Sequence, residues 1–205
     1  MWRRTLSGLF CLGIVACETA PPVPTEMEPA AFEQAVGEAR DKPHPWSTIQ
    51  AYTDLLDSGR LSQGQRLEAL FARGSARRQA RINLPGAVQD LEEAQILAGA
   101  DSPLIENIAT EIEYAKTDWG RAAGKLEGLQ TLPEWFNSKV AMGGLPEAAE
   151  RYRESDLAPS PDQVSLLEAA GYLCRTSGAS DETWTVTEEA EHLEGLEWCE
   201  NPGVS

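Results

Sequence analysis

Apolar residues beyond Pro29 recur three and four positions apart, with polar and charged residues between them. Ile105, Ile108, Ile112 and Ala115 form one such stripe, and Val164, Leu167, Gly171 and Cys174 form another. This is the period of an amphipathic helix, and no strand-like alternation of useful length accompanies it. Helix starts carry the Ser/Thr-x-x-Glu/Gln spacing of a capping box at Ser47–Gln50, Ser62–Gln65, Ser160–Gln163 and Thr185–Glu188. Pro103 and Pro161 stand where proline opens a helix. Gly59, Gly99 and Gly178 stand where a left-handed residue closes one. The pattern predicts an all-α body. Helical partners are expected at 30–40 with 45–58, at 134–142 with 146–155, and at 161–176 with 186–198.

The first 29 residues follow other rules. Met1-Trp2-Arg3-Arg4 is a positive start, and Leu6 to Val15 is an apolar run too short to span a bilayer. A positive start, a short apolar run and a small residue at Ala16 make a secretory signal. From Glu18 to Pro29 four prolines in twelve residues predict an extended, semi-rigid spacer. At about 3.1 Å per residue it reaches roughly 37 Å.

Two resemblances sharpen this reading. Ile14-Val15-Ala16-Cys17 resembles the lipobox of bacterial lipoproteins. That resemblance implies cleavage before Cys17, acylation of Cys17, and an anchor in a membrane. The residue after Cys17 is Glu18 rather than aspartate, which by the family's sorting rule implies the outer membrane, with the body facing the periplasm. Between Leu67 and Ala98, Arg73-Gly74 on one helix is followed by Ala87, Leu91 and Ala94 on the next. This resembles a tetratricopeptide repeat, in which small residues let two antiparallel helices approach closely. The glycine-to-alanine spacing is one residue longer than usual, an excess expected in the turn at 83–86. A second copy is expected with its first helix at 103–116, a turn at Thr117-Asp118-Trp119-Gly120, and a second helix carrying Ala122, Leu126 and Leu129. The implied organisation is a signal peptide at 1–16, a lipidated cysteine and tether at 17–29, a solenoid of repeats at 30–132, and degenerate repeats or a cap at 133–205.

In that repeat family the first helices line a concave, peptide-binding face. The resemblance therefore implies a partner site at Phe71, Ser75, Arg78 and Gln79. Arg73, Arg77, Arg78 and Arg81 make a basic stripe there, open to two readings: capture of an acidic segment, or local pairing with Asp90, Glu92 or Glu93.

Charge narrows the partners. The chain holds 17 basic and 33 acidic residues, and removal of residues 1–16 leaves 15 against 33, a net charge of −18. Such a body is repelled by phosphate backbones, so nucleic acid is excluded as a partner class. It is repelled equally by anionic headgroups, so attachment to a membrane falls to the acyl chains on Cys17. After loss of Cys11 and lipidation of Cys17, Cys174 and Cys199 remain as one pair. An oxidising compartment allows a disulfide, yet a simple helical hairpin would hold the two far apart, so bridge and free thiols both stay open.

Chemistry is sparse. His44 and His192 lie far apart with no metal-ligand spacing around them, and no HExxH, CxxC or EF-hand loop is present. Gly120–Lys125 is one residue short of a phosphate loop and lacks the following Ser or Thr. No catalytic residue, metal or cofactor is expected. The expected role is an adaptor for another envelope protein or peptide segment. A permanent structural subunit of an envelope machine is the alternative, with an enzyme of unrecognised site a remote third.

Overall fold

The computed structural model describes residues 25–128, 131–175, 193 and 195–199. Cys17, His192, the cap at Thr185–Glu188, Gly178 and the helix expected from 186 lie wholly or largely outside the described residues. Eight helices follow in chain order: α1 (Pro29–Arg40), α2 (Pro45–Asp57), α3 (Gln63–Ala80), α4 (Leu84–Ala98), α5 (Ile105–Leu126), α6 (Leu132–Ala141), α7 (Leu145–Arg153) and α8 (Pro161–Ala169). Two short strands, β1 (Leu173–Arg175) and β2 (Leu196–Trp198), pair antiparallel with Leu173 opposite Trp198. The described chain is therefore mostly helical. None of its helices is long and apolar enough to cross a membrane.

Local chemistry sets the helix starts. Ser62 and Gln65 form a reciprocal capping box on α3, as do Ser160 and Gln163 on α8. Ser47 caps nothing, because α2 has already begun at Pro45 with His44 as its cap. Pro103 lies outside α5, which starts at Ile105. Thr131 and Glu134 make a third box, on α6, with the same spacing.

Each helix packs chiefly on its sequence neighbours, with α3 also touching α5. At the α3–α4 crossing a Cβ added to Gly74 would stand 2.8 Å from Leu91 Cγ and 3.2 Å from the Ala87 carbonyl. Ala87 and Leu91 are fully buried. The backbones approach here because no side chain separates them. The turn between these helices has left-handed residues at Arg81 and Asn83, which take up the extra residue in the spacing. Asn83 caps α4 by accepting from Gly86 N–H at 3.1 Å. Its own N–H donates to Val140 O at 3.0 Å, tying this turn to α6.

The expected turn at 117–120 does not exist. α5 runs unbroken for 22 residues through Trp119 and Gly120, because its buried stripe continues from Ile108, Ile112 and Ala115 to Ala122. A glycine inside a helix costs only about 1 kcal/mol against alanine, too little to break a stripe that tertiary packing rewards. The second copy is thus one long helix rather than a hairpin. The C-terminal expectation also changes. α8 ends at Ala169, and Leu173–Arg175 and Leu196–Trp198 are strands, not the ends of two helices.

The interior has two main centres. Phe32, Val36, Tyr52, Leu70, Leu91 and Ile108 anchor one, drawn from α1 to α5. Phe136, Leu145, Tyr152, Leu167, Leu173 and Leu196 anchor the other, from α6 to the strands. Ile49 of α2 belongs to the second centre, and α2 touches α8. The chain therefore curls until the last described helix, α8, meets α2.

Candidate functional site

The basic stripe of α3 is spent inside the molecule. Arg73 donates to Asp90 through Nε at 2.9 Å and Nη2 at 2.6 Å, and Arg77 Nη1 donates to the same carboxylate at 2.8 Å. Arg78 forms a two-pronged contact with Glu111 of α5, at 2.6 and 3.1 Å, and lies over the Tyr114 ring at 5.7 Å. Arg81 reaches Asp118 at 3.7 Å. Local pairing is what the geometry displays, although two of the acceptors, Glu111 and Asp118, sit on α5 rather than α4. Phe71 packs on the first core. The Ser75 hydroxyl is buried and makes no hydrogen bond among the described residues. Of the four residues expected at a partner site, Gln79 alone is exposed. It borders a recess of about 360 Å³ with Lys42, Pro43 and Thr48. Phe71, Ser75 and Arg78 do not join it there.

A larger cleft of about 940 Å³ opens elsewhere, at the upper end of the range of roughly 300–1,000 Å³ typical of ligand pockets. The curl of the chain creates it. Pro45 from the start of α2 and Arg81 from the end of α3 form one edge, the second half of α5 forms a wall, and α6 and α8 form the opposite wall. Its floor is apolar, with Leu84, Ala122, Phe136 and Leu166.

The two walls differ in charge. Arg81, Arg121 and Lys125 line one side together with Asp118. Asp118 takes both Arg121, at 3.2 Å, and Arg81, so a single carboxylate offsets two guanidiniums. Lys125 has no ion pair within 4 Å among the described residues. Glu134 and Asp162 stand on the other side. The Thr131 backbone N–H and then its hydroxyl hold the Glu134 carboxyl below the usual carboxylate range, so it is ionised.

The far wall is rigid by construction. Gln163 is buried, accepts from the Tyr152 hydroxyl at 2.9 Å, and donates to Pro133 O at 3.1 Å and Asn137 Oδ1 at 3.2 Å. One side chain thereby ties α6, α7 and α8 together. Burial pushes the Tyr152 phenol up. At the cleft's edge His44 Nδ1 accepts from Trp46 N–H at 3.1 Å, and burial pushes the imidazole down. It is therefore a neutral helix cap.

Cys174 and Cys199 are joined, with Cα atoms 5.3 Å apart. The strand pair resolves the distance problem: Cys174 lies opposite Glu197, two residues before Cys199. Among the described residues no three His, Cys, Asp or Glu side chains are grouped to hold a metal.

Sequence reasoning missed the cleft because its lining comes from six helices and their turns. The one available signal was Gly120, Gly124 and Gly128 at four-residue spacing beside Arg121 and Lys125. No protein-family model matches this chain, and neither a curated protein nor a solved structure is similar enough to count as a match.

Proposed function

We propose that this chain is a lipid-anchored adaptor of a bacterial cell envelope. Acylated Cys17 holds it to the outer membrane, the Pro-rich tether carries it into the periplasm, and the helical body, related to tetratricopeptide repeats, binds a segment of another envelope protein. The observation that carries this reading is the cleft itself: about 940 Å³, apolar below and charged at the rim. Gly74 set against Ala87 and Leu91 supports the repeat kinship of α3 and α4. The single long α5 makes the repeat array a divergent one.

The test has two arms in a diderm bacterial host. Metabolic labelling with an alkyne fatty acid reads the anchor: wild type incorporates label and fractionates with outer membrane, whereas Cys17→Ala does neither. Crosslinking in intact cells followed by affinity purification reads the adaptor role. A dominant envelope partner is expected, and its absence, or an unlabelled wild type, overturns the reading.

A further inference from the structure

We propose that the cleft between α5 and the α6–α8 wall is a docking site for a short partner segment that carries an acidic group beside an apolar side chain. This rests on the adaptor reading and gives it a location and a ligand chemistry. Charge complementarity selects the occupant. Arg81 and Arg121 share the one carboxylate of Asp118, and Lys125 extends the same rim with no ion pair within 4 Å among the described residues, its charge acting also on Glu134. That rim sets three cations against one carboxylate beside an apolar floor at Leu84, Ala122, Phe136 and Leu166, while Glu134 and Asp162 of the facing wall balance the lining as a whole. A carboxylate placed there gains charge-assisted bonds to Arg81 and Arg121, which have one acceptor between them. Glu134 and Asp162 on the facing wall repel it, which fixes the segment's direction across the cleft. The net charge of the chain repels acidic peptides over the rest of the surface, so capture is confined to this rim.

Gly124 gives a clean way to fill the site. It lines the cleft, and a Cβ built on it meets nothing within 4 Å. A leucine at this position projects into the cleft without displacing the fold.

The probes are three pools of fluorescein-labelled hexapeptides, degenerate except for a fixed Leu and, two positions later, a fixed Glu, Gln or Lys. Binding to the full-length protein in detergent micelles is read by fluorescence anisotropy. The Glu pool binds at least about tenfold tighter than the Gln pool, the effect of one well-formed charge contact. That gap narrows in 0.5 M salt. Lys125→Glu lowers the Glu pool's affinity by about tenfold or more, and Gly124→Leu removes binding while circular dichroism and Tm remain those of a folded protein. Equal binding of the Glu and Gln pools, undiminished binding to Gly124→Leu, or no binding by any pool overturns the proposal. A partner crosslinked in cells alongside absent peptide binding sinks the cleft and spares the adaptor. Peptide binding by a chain that carries no fatty acid sinks the anchor and spares the cleft.

Discussion

Asp90→Asn isolates the electrostatic knot that clamps α3 to α4. The Asp90 side chain is 6% exposed and accepts three hydrogen bonds, two from Arg73 and one from Arg77, themselves 14% and 15% exposed. Two guanidiniums lean on one carboxylate, and Arg77 Nε already lacks a hydrogen-bond partner among the described residues. Burial pushes the Arg77 guanidinium down, opposed by Asp90 and reinforced by the Arg73 charge. An amide keeps the shape and one acceptor oxygen but removes the charge. Breaking a buried pair from one side costs about 3–5 kcal/mol, and the retained acceptor places Asn near 3 kcal/mol. For a chain of this size each kcal/mol lowers Tm by roughly 2–4 °C, so a fall of about 6–12 °C is expected. Urea denaturation followed by circular dichroism gives the free energy directly. Glu93→Gln is the control: its pair with Arg66 is about half-exposed, at 43% and 44%, and its loss costs under about 1 kcal/mol. Adding Arg73→Met and Arg77→Met to Asp90→Leu recovers most of the stability, because an apolar replacement leaves no charge stranded. An Asp90→Asn variant within about 1 kcal/mol of wild type would refute the reasoning.

Four further predictions concern Gly74, Gly124, the Cys174–Cys199 bridge and His44. Gly74→Ala drives a methyl into Leu91 and the Ala87 carbonyl and destabilises by about 1–3 kcal/mol. Gly124→Ala meets open space and stabilises by up to about 1 kcal/mol; the two variants move the urea midpoint in opposite directions. Replacing Cys174 and Cys199 by serine opens a bridge across a sequence separation of 25, which lowers stability by up to about 3.5 kcal/mol on the chain-entropy account. In denatured, unreduced wild type this pair is silent in a thiol titration, and reduction releases two thiols that the serine variant lacks. His44 accepts a hydrogen bond only when neutral, and its folded pKa lies below the ordinary 6.5. Its contribution is complete above pH 6.5 and is lost as pH falls from there through the folded value, removing an N-cap of roughly 1 kcal/mol. In His44→Asn, whose cap does not titrate, the part of the Tm drop between pH 7.5 and 5 due to His44 disappears.

What could be read from residues alone divides by range. Ser62–Gln65 and Ser160–Gln163 were legible because a capping box closes within four residues. Ser47 misled because the same spacing occurs one turn inside a helix already opened by His44 and Pro45. The close crossing at Gly74 was legible too, since only small residues permit it and both partners fall within one repeat-length segment. Trp119-Gly120 reads as a turn by composition, but Ala115 and Ala122 keep the buried stripe in helical phase across it. β1 and β2 are three residues each, and their pairing joins residues as distant in sequence as Leu173 and Trp198, beside a disulfide, none of which leaves an alternation to detect. The cleft was hidden for the same reason. Arg81, Arg121, Phe136 and Gln163 meet only because α2 returns to α8. The expected face at Phe71, Ser75 and Arg78 was a local inference, and it could not foresee that Glu111 on the next helix engages Arg78.

The most direct measurement places a photocrosslinking amino acid at exposed position 162 on the cleft's rim, or at exposed position 96 on α4, in living cells with the anchored protein. One dominant adduct with an envelope protein is expected from position 162, lost when Arg121 and Lys125 are reversed to glutamate, and none from position 96. No adduct at 162, or the same products from both positions, would contradict the cleft as the binding site.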